Sequence, residues 1–247
     1  MNTIKKVYFD LKRFYREQRK ERIQLKKFYN QLEEYNKLAP SNIKALKEEI
    51  FPCLNDASGE TLIDPVYFFQ DTWAFECILN SKTLEHVDIG SHHKFIAFLS
   101  KITKVTMVDI RPLAVKMDSI NFVKGDILNL PFGNNSLNSV SSICVIEHIG
   151  LGRYGDTLDP QGSIKAFKEI YRVLTSGANF YISVPVSDRN IVAFNGGRIF
   201  KNEELLSNLE DLYFIKDKKY IVGQKLQDNF EPHNRFGSTI LLHLIKK

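Results

Sequence analysis

Four apolar segments in the second half of the chain each end in residues that could bind a ligand or move a proton. The first is followed by Gly90-Ser91, the second ends in Asp109, the third is followed by Asp126, and the fourth ends in Glu147-His148. A carboxylate in such a position can accept hydrogen bonds from ribose hydroxyls, and an imidazole can accept a proton near neutral pH. These residue types predict a nucleoside-containing ligand beside a group capable of acid–base chemistry.

The spacing of these residues narrows the choice of cofactor. Asp109 lies 19 residues after Gly90, close to the roughly 20 residues expected before a ribose-binding carboxylate. A dinucleotide also requires G-x-G-x-x-G, so that backbone amides can cradle pyrophosphate. The chain has DIGSHH instead, with one glycine. This disfavours a nucleotide-dependent oxidoreductase and favours a ligand without phosphate, such as S-adenosylmethionine (SAM).

The elements that must position these residues follow from the hydrophobic pattern. Strand and helix periods alternate from residue 84, which predicts βαβ units and a doubly wound, mostly parallel, seven-stranded sheet whose last strand is antiparallel. Ligands of such sheets bind at the carboxyl ends of the strands, near the point where the strand order reverses. The predicted strands are HVDIG, KVTMVDI, INFVKGDI, SVSSICVIEHI and ANFYISVPV, then LEDLYFIKDKKYIV and STILLHLIKK; the helices between them are HKFIAFLSKI and SIKAFKEIYRVL.

Over roughly residues 84–186 these motifs resemble the class I SAM-dependent methyltransferases in order and spacing. The segments that carry the resemblance are VDIG, VDI, GDILNLPFGNNSLNSV, CVIEHI and YRVLTSGANFYISVP. The chain further resembles a bacterial methyltransferase-like branch of unknown function that is associated with surface-polysaccharide genes. That likeness rests on VDIGS, DIRPL, EHIGLGRYGDTLDPQG and FNGGRIF, with YFFQDTWAF upstream.

The resemblance implies a Rossmann-like fold that binds SAM at named positions. It places the methionine moiety over Asp88, Gly90 and Ser91, the ribose on Asp109 with Ile110 against the adenine, and the adenine ring between Asp126 and Ile127. Each position also has a structural alternative, because a carboxylate in a turn often only caps the local backbone.

The loop after the fourth strand predicts where the acceptor binds. Methyl transfer to a hydroxyl needs a base, and we predict His148, with a pKa near neutrality, in that role. Glu147 would orient it or bind the amino group of SAM. A buried structural histidine and a self-bonded loop are the alternatives. The side chains predicted to bind a hydroxylated acceptor are Arg153, Tyr154, Asp156 and Asp159, with Asn195 and Arg198 from FNGGRIF.

The chain is predicted to have three parts: a basic amphipathic helical arm over residues 1–39, a helical cap or linker over 40–83, and the SAM-binding domain over 84–247. Residues 3–38 lack Gly and Pro, and their apolar residues follow a heptad seam. That seam would pack on the chain's own domain, on a second copy or on a membrane surface. The cap includes a predicted helix over residues 42–50 and an aromatic helix from Pro65, which lies in the core or covers the cleft.

The composition excludes several classes of protein. The net charge is +5, but ten Lys/Arg and three Asp/Glu lie in residues 1–27, so the rest of the chain has no basic footprint for nucleic acid. No apolar run is long enough to span a membrane, and no secretory signal is expected. Three cysteines without a CxxC pattern fit a reducing cytoplasm, at the inner face of the membrane if the arm binds lipid. His92-His93 point apart, so no metal site is predicted.

Two functions remain open at this point. The first is a SAM-dependent methyltransferase, with O-methylation of a small or saccharide-linked acceptor as its expected reaction. The second is a methyltransferase-fold protein without catalysis, which acts as a binding or scaffold partner.

Overall fold

The computed structural model describes residues 3–232 and 237–247. The chain divides into two compact units, Met1–Ile63 and Asp64–Lys247. No helix within the described ranges combines the length and the apolar character that crossing a membrane requires.

Helix α1 of the first unit runs from Thr3 to Leu38, as the sequence predicts. The helix predicted over residues 42–50 is wrong: the structure has two short 3-10 turns there, Ser41–Ile43 and Lys47–Glu49. The side chain of Asn36 explains the break. Its Nδ2 donates to Ala45 O at 3.0 Å and its Oδ1 accepts from Ala45 N at 2.9 Å. Both backbone groups of Ala45 are therefore satisfied outside any helix.

Three apolar side chains of the α1 seam are exposed, while Leu25, Phe28 and Leu32 are half-buried. Leu11 is 49%, Phe14 is 55% and Tyr35 is 49% exposed. Exposed apolar surface of this kind is typical of a site that another surface covers, and a second copy of the chain and a membrane surface are the proposed partners of residues 3–38.

Deletion of residues 1–63 is expected to leave the remaining chain folded, since Asp64–Lys247 is a compact unit by itself. Circular dichroism and thermal unfolding of residues 64–247 would measure this, and sedimentation velocity would show whether the arm sets the oligomeric state. An unfolded or insoluble fragment would contradict the prediction.

The second unit holds one large sheet with helices on both faces. The described strands are β1 (Glu85–Ile89), β2 (Lys104–Asp109), β3 (Ile120–Lys124), β4 (Leu137–Ile143), β5 (Leu174–Ser187), β6 (Ile191–Ala193), β7 (Gly197–Lys201), β8 (Tyr213–Val222), β9 (Lys225–Gln227) and β10 (Ser238–Lys246). The helices are α2 (Pro65–Ser81), α3 (His93–Leu99), α4 (Gly162–Val173) and α5 (Asn202–Glu210).

The strand order is β3-β2-β1-β4-β5-β10-β8-β9. Strands β1 to β5 are parallel, and β10 pairs antiparallel with both β5 and β8. The predicted doubly wound sheet with an antiparallel last strand is therefore confirmed, and the order reverses between β1 and β4. The described residues add β6, β7 and β9 to the seven predicted strands; β6 and β7 form a hairpin across Asn195-Gly196, a dipeptide typical of tight hairpin turns.

Helix α2 packs on the sheet rather than acting as a linker. Asp64 caps it, with Oδ1 accepting from Val66 N at 2.9 Å, and Pro65 occupies its first position. Ala74 and Ile78 are fully buried, and Trp73 Nε1 donates to Asp217 Oδ2 on β8 at 2.8 Å. The aromatic face of α2 thus closes one side of the core, so the compact unit begins at Asp64 rather than at residue 84.

Candidate functional site

The turn after β1 lies at the carboxyl edge of the sheet, where the strand order reverses. Gly90 has φ 71° and donates from its backbone N to Val108 O at 2.9 Å. A Cβ at this position would lie 3.1 Å from Val145 Cγ1. Only glycine meets both conditions easily, so Gly90 allows β1 and the segment after β4 to approach each other closely.

Asp88 and Ser91 hold this turn from beneath. Asp88 is fully buried; its Oδ1 accepts from Ser91 N at 3.0 Å, and its Oδ2 accepts from Ser91 Oγ at 2.6 Å and from Ser141 Oγ. Burial raises the pKa of Asp88 to about 7. Both residues therefore shape the backbone around Gly90, and their contact with a methionine moiety stays a prediction.

His92 stands where a G-x-G-x-x-G motif that begins at Gly90 would have its second glycine. It caps α3, with Nδ1 accepting from Lys94 N at 3.4 Å, and its ring lies 5.3 Å from that of Tyr67, centroid to centroid. The prediction that His92 and His93 point apart is wrong, because their ring centroids lie 4.2 Å from each other. Burial lowers the pKa of His92, and neighbouring His93 lowers it further. The turn after β1 is therefore lined by an imidazole instead of open backbone.

Asp109 ends β2 with one carboxylate oxygen in use. Its Oδ1 accepts from Arg111 N at 2.7 Å and lies 3.5 Å from Arg111 Nε. Oδ2 makes no hydrogen bond within the described ranges. Asp109 can therefore cap the backbone at Arg111 with Oδ1 and still bind ribose hydroxyls with Oδ2. Ile110, the next residue, is half-buried.

The residues after β3 are less suited to the predicted adenine contacts. Asp126 is exposed, and its Oδ1 accepts from Leu128 N at 2.9 Å as an ordinary turn acid does. Ile127 is 5% exposed and belongs to the core with Val108 and Leu130. The contact of both residues with an adenine ring stays a prediction.

Strand β4 ends at Ile143, earlier than the sequence predicts. Cys144 has φ 58°, in the left-handed region that stops an extended strand. A 3-10 turn, Ile146–His148, follows it and turns both Glu147 and His148 back towards Cys144. The predicted strand through His148 is therefore wrong.

Glu147 is the most unusual titratable group of the site. It is fully buried, its Oε1 accepts from Cys144 Sγ at 3.0 Å, and its Oε2 has no hydrogen-bond partner within the part of the chain that the structure describes. Burial raises the pKa of Glu147 to about 7. A buried carboxyl with a free oxygen and a pKa near neutrality is suited to proton transfer.

His148 differs from its prediction in pKa. Burial and the guanidinium of Arg153 lower the pKa of His148 to about 4. Its Nδ1 lies 3.4 Å from Arg153 Nη1, and its Nε2 lies 3.8 Å from Glu147 Oε1. The imidazole is therefore neutral at pH 7, and it is a weaker base than the sequence predicts.

The two aspartates of the loop after His148 bind the loop itself. Asp156 accepts from three backbone amides, Gly150 at 2.7 Å, Gly152 at 3.3 Å and Tyr154 at 3.2 Å. Asp159 accepts from Gln161 N at 2.9 Å and pairs with Lys165 at 2.6 Å. The loop is therefore bonded to itself, as one alternative of the sequence analysis has it. Few lone pairs of either carboxylate are left to accept hydrogen bonds from a ligand.

Tyr154 and Arg153 face the site more openly than the aspartates do. The Tyr154 ring lies between two guanidinium groups, with Arg111 at 4.3 Å and Arg153 at 5.1 Å from its centroid. Arg153 Nη1 also donates to Gly196 O at 2.9 Å, which ties the loop to the β6–β7 hairpin.

The β6–β7 hairpin exposes Asn195 but buries Arg198. Asn195 is exposed at its tip with φ 64°. Arg198 is 9% exposed, and its terminal nitrogens donate to Ile149 O, Ser163 Oγ, Asp159 O and Pro160 O. The guanidinium of Arg198 therefore satisfies carbonyls beneath the loop, and its contact with the acceptor stays a prediction.

Two residues near Glu147 escape sequence reasoning. Cys144 looks like an ordinary strand residue, and only its backbone conformation brings it beside Glu147. The Tyr67 ring of α2 lies 5.3 Å from the ring of His92, centroid to centroid, and burial raises the pKa of Tyr67 to about 12. The aromatic residues after Pro65 could have indicated Tyr67, because one interpretation of the sequence places that helix over the cleft.

The family model described as "Caenorhabditis protein of unknown function, DUF268" matches residues 83–209. A search of curated proteins found no match. Among solved structures, N-methyltransferase NodS from Bradyrhizobium japonicum in complex with S-adenosyl-L-homocysteine has a TM-score of 0.55 and 16% identity, over 88% of this chain and 97% of that one. The [4+2]-cyclase SpnF has a TM-score of 0.51 and 15% identity, over 71% and 81%. At these identities the likeness shows the fold, and the predicted Rossmann-like methyltransferase fold is confirmed.

Proposed function

We propose that this chain, which belongs to the family described as "Caenorhabditis protein of unknown function, DUF268", is a SAM-dependent methyltransferase. Its proposed reaction is methyl transfer to a hydroxyl of a small or saccharide-linked acceptor. The observation that carries the proposal is Glu147, a buried carboxyl with a free oxygen, beside His148 at the carboxyl edge of the sheet.

The fold and the edge residues support SAM as the cofactor. NodS, which shares the fold, was solved with S-adenosyl-L-homocysteine. Asp109 has an oxygen left for ribose hydroxyls, and the positive φ of Gly90 brings backbone near the same edge. The side chain of His92 stands where a dinucleotide-binding motif needs a glycine so that pyrophosphate can approach the backbone. SAM carries no phosphate and does not need this approach. The donor set therefore fits SAM better than a dinucleotide.

The chain's own residues perform the remaining chemistry. When bound, SAM supplies an electrophilic methyl group. Once the loop after His148 opens over this fully buried carboxyl, Glu147 Oε2 accepts the hydroxyl proton of the acceptor as the new C–O bond forms. His148 is neutral and close to Glu147 Oε1, so it orients the carboxylate and the acceptor rather than serving as the main base.

A hydroxylated acceptor fits the residues around Glu147. Tyr67 is 42% exposed and offers an aromatic face, against which the apolar face of a sugar ring packs, and Arg153 offers donors. Asp156 and Asp159 contribute by holding the loop. The proposed link to surface polysaccharides rests on the sequence resemblance alone.

Calorimetry with SAM and S-adenosylhomocysteine tests the cofactor. Both are expected to bind, and formation of S-adenosylhomocysteine in the presence of hydroxylated acceptors would then report turnover. Binding of neither would overturn the proposed function.

A catalytically inactive binding protein is the second candidate, and the Val145 side chain favours it. Val145 packs over Gly90, where methyltransferase motifs bring their cofactor close to backbone. The fold is also compatible with other chemistry, as the [4+2]-cyclase SpnF shows. SAM binding without turnover on any acceptor would favour this candidate.

Asp109→Ala is expected to weaken SAM binding by roughly 30- to 150-fold, because a charge-assisted pair of hydrogen bonds to the ribose is lost. Calorimetry measures the affinity, and a thermal melt measures stability. Asp211→Ala, an exposed aspartate at the end of α5, is the matched control. Unchanged affinity with a large loss of stability would assign Asp109 to capping Arg111 only.

A further inference from the structure

Three potential metal ligands meet at the turn after β4. One ligand atom each from Cys144, Glu147 and His148 lies within 4.8 Å of the other two. Cys144 Sγ is 3.0 Å from Glu147 Oε1, which is 3.8 Å from His148 Nε2. Bonds of about 2.0–2.3 Å to a tetrahedral zinc ion separate its ligands by roughly 3.3–3.8 Å. The cluster therefore needs only small side-chain shifts to surround one ion.

The buried carboxylate supplies an independent reason for a cation. Glu147 is fully buried, and its Oε2 has no partner within the described ranges. A buried carboxylate oxygen without a partner is costly, and a metal ion is one of the few groups that compensates it. The nearest guanidinium, Arg153, is turned to Gly196 O and His148 Nδ1 instead.

The orientation of His148 also suits a ligand. Its Nδ1 faces Arg153 and the hairpin, so Nε2 is the nitrogen that faces Glu147. A metal-binding imidazole carries its proton on the opposite ring nitrogen, and a guanidinium has only donors. Binding through Nε2 therefore requires the proton to move to Nδ1 and the Arg153 guanidinium to leave Nδ1 and keep only Gly196 O. Gly197 lets the hairpin approach, since a Cβ there would lie 3.3 Å from His148 Cε1.

We propose that Cys144, Glu147 and His148 form a site for a divalent ion of the zinc type. Thiolate, carboxylate and imidazole are the ligands that Zn²⁺ selects, and three protein ligands leave a fourth position open, as in catalytic zinc sites. The left-handed backbone of Cys144 is strained for a residue with a side chain, and it is what brings Sγ into the cluster. On binding, the S–H bond is replaced by a metal–sulfur bond and the proton goes to solvent.

The open position lies where the acceptor is proposed to bind. A hydroxyl or thiol bound there would lose its proton more readily. Glu147 would then be a ligand, so in the metal-bound protein that proton would pass to solvent, and the step assigned to Glu147 belongs to the metal-free protein. Metal binding is measured on the protein alone, without SAM or acceptor. Its failure leaves the proposed methyl transfer untouched, and failure of methyl transfer leaves the metal site untouched.

Cobalt provides the direct test. The full chain, freed of metal with a chelator, is titrated with Co²⁺, which is expected to bind once per chain with a thiolate charge-transfer band and the intense visible bands of tetrahedral cobalt. Zn²⁺ should displace it. Cys144→Ser should abolish the charge-transfer band, and His148→Ala should weaken binding at least tenfold. Cys77→Ser and Cys53→Ser are matched controls that should retain the wild-type spectrum.

A second measurement uses the wild-type protein, so it does not depend on a variant that folds. Zn²⁺ is expected to slow alkylation of Cys144, followed by mass spectrometry, while the exposed Cys53 reacts at an unchanged rate. Absence of a cobalt–thiolate band in the wild type, its persistence in Cys144→Ser, or equal alkylation of Cys144 with and without Zn²⁺ would overturn the proposal.

Discussion

Glu147→Gln is expected to lower methyl-transfer turnover by roughly 10²–10⁴-fold while SAM affinity stays nearly unchanged. The amide keeps the shape of the side chain but cannot accept the acceptor's proton. Initial rates of S-adenosylhomocysteine formation measure turnover, and calorimetry measures affinity. Glu203→Gln is the control, because that side chain is 85% exposed on α5. Near-normal turnover in Glu147→Gln would mean that the acceptor needs no base.

The pH dependence separates the two candidate bases. Glu147 must be ionised to accept a proton and its pKa is about 7, so wild-type activity should rise with pH through that value. His148 has a pKa of about 4 and is already neutral across this range. His148→Ala should therefore keep the rise near pH 7, even if its turnover is lower. Loss of that rise in His148→Ala would restore His148 as the base.

Ionisation of the Glu147 carboxyl is expected to lower the stability of the fold, although it raises activity. The folded pKa of Glu147 is raised above the ordinary value of 4.5, so the unfolded chain loses this proton first as pH rises. Stability should therefore fall between about pH 4.5 and 7 by an amount on the order of 3 kcal/mol from this group. Glu147→Gln removes the charge and should raise the melting temperature at pH 8. Substitutions that remove activity but stabilise the fold are typical of catalytic positions.

The sheet could be predicted because its strands are buried on both faces. Such strands are continuous apolar runs, and α4 between β4 and β5 has a clear amphipathic pattern, so the βαβ order follows from periodicity alone. The β6–β7 hairpin was missed although Asn195-Gly196 is a hairpin signal. Its strands are short and pair mainly with each other, so they lack a long apolar run.

The site was predictable in its location but not in its detail. Strand ends identify Gly90, Asp109 and Glu147, since parallel strands end at one edge. The pairing of Cys144 with Glu147 depends on a left-handed residue that no propensity predicts. The pKa values of Glu147 and His148 depend on burial within the folded loop, which sequence spacing does not contain.

Arg198→Ala is expected to lower the melting temperature by roughly 6–12 °C, because about 3 kcal/mol is lost when its buried hydrogen bonds disappear. The carbonyls of Ile149, Asp159 and Pro160 would then be left without this donor. Arg189→Ala, which removes an exposed guanidinium, should change stability by less than about 0.5 kcal/mol. Differential scanning calorimetry of the three proteins measures the effect.

The kinetic consequence distinguishes a structural role of Arg198 from the acceptor contact that the sequence predicts. If Arg198 holds the loop, Arg198→Ala should lower kcat, because Arg153 and Tyr154 lose their fixed position beside His148. Arg198→Lys should recover part of the stability, since a single ammonium reaches fewer carbonyls than a guanidinium does. A normal melting temperature together with a raised KM for the acceptor would instead show that Arg198 binds the acceptor directly. The loop would then have to open enough during binding for a 9% exposed guanidinium to reach it.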